Sequence, residues 1–160
     1  MRRALVIASV LVLAAAAPHR TPSGTLVPLR AQPGTELDRA ARTLLADDLA
    51  AAASRGDRPL VLIGTAALGG SRPALFVQLQ SPKECGSAGC TTSVYVANGN
   101  SWRRVLDGTT GRLAVAPTRT RGMADLLSDD DRFVWTGTTY RSTQPAPAVD
   151  LTPRHPRRHR

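Results

Sequence analysis

Leu60-Val-Leu-Ile-Gly-Thr-Ala-Ala-Leu68, the turn signal Gly69-Gly70-Ser71 and Ala74-Leu-Phe-Val-Gln-Leu-Gln80 mark the point where the hydrophobic period of this chain changes. The first run is apolar at odd and even positions alike, which predicts a central strand covered on both faces. In the second, Leu75, Val77 and Leu79 alternate with Phe76, Gln78 and Gln80, the period of two of a strand with one buried face.

Upstream the period is helical. Thr35 is placed to cap a helix whose first turn holds Glu36 and Asp38, where the helix dipole favours negative charge. Leu37, Ala41, Leu44, Leu45, Leu49 and Ala52 share one face, Asp38 and Arg42 are four apart, and Gly56 supplies a stop. The pattern predicts one helix over about 36–54. Downstream, strands are expected over Thr92–Ala97 and Trp102–Leu106 around Asn98-Gly99-Asn100, then over Arg112–Ala116, with Pro117 as terminator. Ala124–Leu127 reads as a short strand or a helical turn, and Arg132–Thr136 and Thr138–Arg141 as a last hairpin about Gly137. The expected fold class is α+β: one N-terminal amphipathic helix packed on a five- to seven-stranded antiparallel meander, in a single domain over 35–142.

The chain ends frame where this domain works. Met1-Arg2-Arg3, the apolar run Ala4–Ala17 and the small residues at its exit have the pattern of a secretory signal peptide over 1–17. That run is shorter than the ~20 residues a spanning helix needs, so no transmembrane anchor is expected after cleavage. Residues 18–34 read as a flexible lead-in and 143–160 as a disordered Pro/Arg-rich tail. One lysine against 20 arginines is a bias of GC-rich bacterial genomes, and export from a bacterium leads to the periplasm or to secretion. The net charge of +9 is concentrated in the tails: Glu36–Gln144 carries 13 basic and 11 acidic residues. No nucleic-acid partner is expected, because no basic stripe alternates with stacking rings.

The only cysteines form Cys85-Gly-Ser-Ala-Gly-Cys90, which outside the cytosol predicts a structural disulfide fixing one loop. A redox centre would more often show Cys-x-x-Cys in a βαβ context. No metal and no cofactor are expected: His19, His155 and His159 all lie in the end segments, and Asp129-Asp130-Asp131 lacks the alternating spacing of a calcium loop. The predicted domain has no histidine to activate a nucleophile, which removes Ser-His and Cys-His arrangements. Glu84, Asp107 and Asp125 remain as carboxylates for a cell-envelope hydrolase. Arg103, Arg104, Arg112, Arg119, Arg121, Arg132 and Arg141 crowd the second half, where they either pair with neighbouring aspartates or hold an anionic partner. Trp102, Trp135 and Tyr140 read as core or sheet-edge anchors, or else as a platform for stacking a sugar.

The order of three pieces resembles a group of uncharacterised exported bacterial proteins. They are Cys85-Gly-Ser-Ala-Gly-Cys90 leading into Ser93-Val-Tyr-Val96, Arg121-Gly-Met-Ala-Asp-Leu126 and Trp135-Thr-Gly-Thr-Thr-Tyr140, with the hairpin Asn98–Leu106 between the first two. The resemblance spans about 75–141 and implies no activity or cofactor. The expected function is therefore a periplasmic or secreted, non-enzymatic binding domain for an envelope protein or a glycan. Its expected contact surface is the stapled loop with Lys83 and Ser87, together with Trp102, Arg103 and Arg104. A loop already fixed covalently loses less entropy on binding.

Overall fold

The computed structural model describes residues 24–69, 73–87, 89–129 and 131–144; the expected signal peptide and all but the first two residues of the expected tail lie outside them. Among the described residues, nine strands and two helices follow in the order β1 (Thr25–Leu26), α1 (Glu36–Leu44), α2 (Ala46–Ser54), β2 (Leu60–Ala66), β3 (Ala74–Gln80), β4 (Thr92–Asn98), β5 (Ser101–Thr109), β6 (Ala114–Thr120), β7 (Met123–Ser128), β8 (Asp131–Trp135) and β9 (Tyr140–Ser142).

The α+β meander is overturned. The chain is mostly β and forms two antiparallel sheets, β2-β3-β4-β5 and β1-β6-β7-β8-β9. The physical reason is coverage. Two helices of nine residues each are too short to cover a seven-stranded sheet. The chain beyond β5 therefore folds over the face the helices leave open. Leu68, Phe76, Val94 and Val105 from the part of the chain that ends with β5 meet Leu113, Leu126, Phe133 and Trp135 from the part that follows it in one buried cluster. On the other face of the four-stranded sheet, Ala41 and Leu45 pack on Val61, Ile63, Leu75 and Val77. The layers are thus helices, four strands, five strands.

The single helix expected over 36–54 is interrupted at Leu45, whose φ of −108° and ψ of 20° leave helical geometry. Bonds from Leu45 N to Ala41 O and from Leu49 N to Leu45 O persist, and Leu45 is buried. The expected N-cap is present, with Asp38 N donating to Thr35 Oγ1 at 3.1 Å.

β2 is an edge strand, not a central one. Its two-sided apolarity reports what covers it: helices on one face, and on the other a strap running from Gly24 to Arg30. This strap belongs to the segment expected as lead-in, so the fold begins before the expected boundary at 35. Thr25 and Leu26 pair with Val115 and Ala114 of β6, Val27 is buried in the inter-sheet core, and Arg30 exchanges two backbone bonds of 2.9 Å with Ile63 of β2. One segment therefore ties an edge of each sheet. Gly64 makes room for it: a Cβ there would lie 2.6 Å from Pro28 O.

Across the sandwich, β5 and β9 come together. Arg103 of β5 donates to Thr138 O and lies 5.8 Å from the Trp135 ring centroid. Trp135 and Tyr140 meet edge to face at 5.2 Å, and the Tyr140 hydroxyl donates to Ala124 O at 2.6 Å. Both rings belong to the core. Ala124–Leu127 is strand, and β6 continues through Pro117 because the β6–β7 register shifts between Val115 and Arg119, where no ladder bond is demanded of the proline.

Candidate functional site

The disulfide is formed, Cys85 to Cys90, and the local backbone explains its spacing. Gly86 and Gly89 exchange backbone bonds of 3.1 and 3.0 Å, making a miniature hairpin. The cysteines occupy the next, non-hydrogen-bonded pair, with Cα atoms 4.2 Å apart, close to the usual ~4.5 Å for such a pair. Gly89 has a φ of 98°, a conformation that disfavours any side chain.

This stapled loop is docked on the end of α2. Ser81 Oγ donates to Asp57 at 2.5 Å and accepts from the amides of Lys83 and Glu84, which turns the chain out of β3. Lys83 Nζ donates to Arg55 O at 2.7 Å, and Arg55 pairs with Glu84. Lys83 thus anchors the loop rather than presenting a free cation. Ser87 is exposed at the tip.

Between α2, this loop and β5 lies a cleft of about 290 Å³, on the helix-side face where the short helices leave β3–β5 uncovered. Leu45, Val77 and Leu79 supply its apolar surface; Asp48, Glu84, Asp107 and Arg104 supply its charges, with Thr91 and Ser93 between them. Arg104 donates to Asp107 at 2.6 Å and lies 5.9 Å from the Tyr95 ring centroid. The hydrogen bond to Asp107 raises the Arg104 pKa further, so the guanidinium stays charged. Burial raises the Tyr95 pKa, partly offset by the nearby Arg104 charge, so the phenol stays protonated. Tyr95 is 2% exposed, and its hydroxyl makes no bond of normal geometry, although Ser93 is near enough to act on it.

The residues expected as one surface are divided. Trp102 and Arg104 lie on the helix-side face of β5, with Trp102 packed against the helix-side cluster, whereas Arg103 points between the sheets toward Trp135. Trp102 pairs with Ala97 and the stapled loop adjoins Thr92, five residues or ~17 Å away along β4. Only Arg104 joins the stapled loop, through Glu84, at the cleft.

The carboxylates Glu84 and Asp125 are separated by the whole sandwich. Asp125 alternates with the inward-facing Ala124 and Leu126, so it belongs to the outer face of the five-stranded sheet. There it is fully buried, accepting from Thr118 and Arg132 at 2.6 Å each. Burial raises its pKa, but hydrogen bonds from Thr118, Thr120 and Arg132 and the Arg132 charge outweigh that and hold the carboxyl below its ordinary value. Two groups on opposite sides of two sheets cannot act on one glycosidic bond. Among the described residues, no group of three or more His, Cys, Asp or Glu is arranged to hold a metal.

Sequence reading missed Asp48. It stood among solvated helix residues, and the signal was its position three after Leu45, at the margin of the apolar stripe. The clustered arginines resolve into local contacts: Arg104 with Asp107, Arg132 with Asp125, and Arg103, Arg119 and Arg121 donating to backbone carbonyls.

A formed disulfide and the lack of a long apolar helix among the described residues are compatible with a periplasmic or extracellular protein. No protein-family model, curated protein or solved structure matches the chain.

Proposed function

We propose that this protein is an exported binding module of the bacterial cell envelope, periplasmic or secreted, and not an enzyme. Its order of motifs is that of the exported bacterial group it resembles. The observation that carries the reading is the cleft beside the stapled loop. Its wall is fixed by the Cys85–Cys90 bond and by three contacts to the end of the helical layer, Ser81–Asp57, Lys83–Arg55 and Glu84–Arg55. A wall already ordered loses little entropy when a partner seats against it. The cleft combines an apolar floor with a few convergent polar groups, the usual composition of a recognition site. Glu84 and Asp107, the carboxylates offered for hydrolysis, are each held by an arginine.

Capture from the envelope fraction tests this. The mature chain is compared with Asp48→Arg and Thr91→Arg, which obstruct the cleft, and with Arg141→Ala on the opposite sheet. One defined partner, held by wild type and Arg141→Ala and lost by both cleft variants, is the expected result. Equal capture by all four chains rules the cleft out.

A further inference from the structure

The geometry points to a second site, apart from the cleft and independent of the reading above: a cavity between the sheets that takes the hydrocarbon tail of a medium-chain carboxylic acid, with the carboxylate held by Arg112. Where the strap crosses β2, strap and sheets bound a cavity of about 240 Å³. Leu29 of the strap, Leu62 and Phe76 of the four-stranded sheet and Leu113 just before β6 wall it. Phe76 and Leu113 are buried at its floor. Leu26, one of the two large apolar side chains left exposed among the described residues, lines it at 49% exposure. Phe76 and Gln78 alternate along β3 with Val77 and Leu79 of the cleft, so the sheet itself separates the two sites.

The charge at the mouth is a separate observation. Arg112 lines the cavity and is exposed, and its guanidinium makes no ion pair or hydrogen bond among the described residues. A guanidinium in open solvent needs no partner, but this one adjoins an apolar cavity whose described lining holds no carboxylate. Asp129 shares the neighbouring outer groove with Arg112 without pairing to it. A carboxylate fits the planar fork of a guanidinium with two parallel bonds, while its tail lies on the apolar walls. Size narrows the class further. An apolar cavity of ~150 Å³ holds a benzene ring, so about 240 Å³ takes roughly eight to ten carbons by the same measure. That is too little for the paired long chains of a membrane lipid. A peptide C-terminus would bring peptide groups into a lining whose one other polar side chain, Gln78, already donates to Thr92 Oγ1 and Cys90 O. Left unpaired there, those groups would oppose binding, and a plain alkyl chain carries none.

The test is a shift titration of the full mature chain, labelled with ¹⁵N and with ¹³C at its leucine methyls, using sodium octanoate, 1-octanol and the free acid Ac-Gly-Gly-Leu in turn. Octanoate should move the methyls of Leu29, Leu62 and Leu113 and the amide of Arg112. In Arg112→Gln, a change at an exposed position, the ratio of octanoate to octanol affinity should fall about five-fold, because only octanoate loses a partner. An unchanged ratio overturns the inference, as do octanoate shifts confined to other parts of the chain or none at about 10 mM. Tighter binding of the leucine peptide than of octanoate would assign the cavity to a polypeptide C-terminus, and the inference falls with it.

Discussion

The guanidinium of Arg103 stacks over the indole of Trp135, joining a strand of the four-stranded sheet to one of the five-stranded sheet where the two close. The same guanidinium donates to Thr138 O, so a single side chain holds the ring and the turn that follows it. Arg103→Ala should cost about 1 kcal/mol, read as a lower midpoint in urea, with a shift of tryptophan emission toward water. Arg103→Lys keeps the charge but not the forked geometry and should fall between the two. An unchanged midpoint for Arg103→Ala would mean that the contact contributes nothing.

Gly64→Ala should destabilise by roughly 1–3 kcal/mol, because a methyl group set 2.6 Å from Pro28 O forces the strap off β2. Gly86, with nothing near its would-be Cβ, is the comparison: Gly86→Ala should leave the midpoint within ~0.5 kcal/mol. Thermal or urea unfolding of both variants decides it, and equal losses would remove the strap argument.

Asp125 ties protonation to stability. Its carboxyl pKa is lower folded than the ~3.9 of an unfolded chain, so the unfolded state takes up a proton first as pH falls. The stabilisation is complete above about pH 5 and is lost through and below pH ~4 as the folded value is approached. Asp38 acts in the same direction: a hydrogen bond from Arg42 holds its pKa down, against burial. Urea midpoints between pH 3 and 7 should fall on the acid side for wild type and less steeply for Asp125→Asn. A parallel fall in both would assign the acid limb to other groups.

Replacing Cys85 and Cys90 by serine should lower stability by about 2 kcal/mol, the size expected for so short a ring. The more diagnostic change is local. Hydrogen exchange should accelerate at Gly86 and Gly89, whose amides bond across the loop, while Val77 and Val94 in the sheet keep their protection. Uniform acceleration would show that the bridge supports the whole fold rather than its loop.

Tyr140→Phe removes the bond to Ala124 O and should cost about 1 kcal/mol. Burial pushes that phenol well above its ordinary range, so wild-type fluorescence and absorbance should show no ionisation of Tyr140 up to pH 11 while the fold persists.

The strands were legible because each depends on neighbours in sequence. Leu75, Val77 and Leu79 alternate, and Asn98–Asn100 turns the chain between β4 and β5. Partition into two sheets was not legible, because it depends on how much of a face two nine-residue helices can cover, a quantity absent from any local window. The strap escaped for a similar reason. Thr25 and Leu26 gain their pairing from β6 and Arg30 from β2, and neither partner leaves a mark on residues 24–34 themselves. At the site, Cys85 and Cys90 announced the stapled loop. Asp48 reaches the same cleft only through the packing of α2, and Arg103 was grouped with Trp102 and Arg104 on one contact surface although strand alternation sets it on the opposite face.

Thr25 finds Val115 ninety positions later, so the first strand of the domain has no partner until most of the chain exists. A polypeptide delivered from its N-terminus through a ribosome or a pore must therefore carry Thr25 and Leu26 unpaired while the four-stranded sheet is made, although Arg30 at the other end of the strap can already bond to Ile63. Only when β6 arrives can the seam between the sheets close. Completion is thereby assigned to the late stage of delivery, and until then the leading end stays threadable.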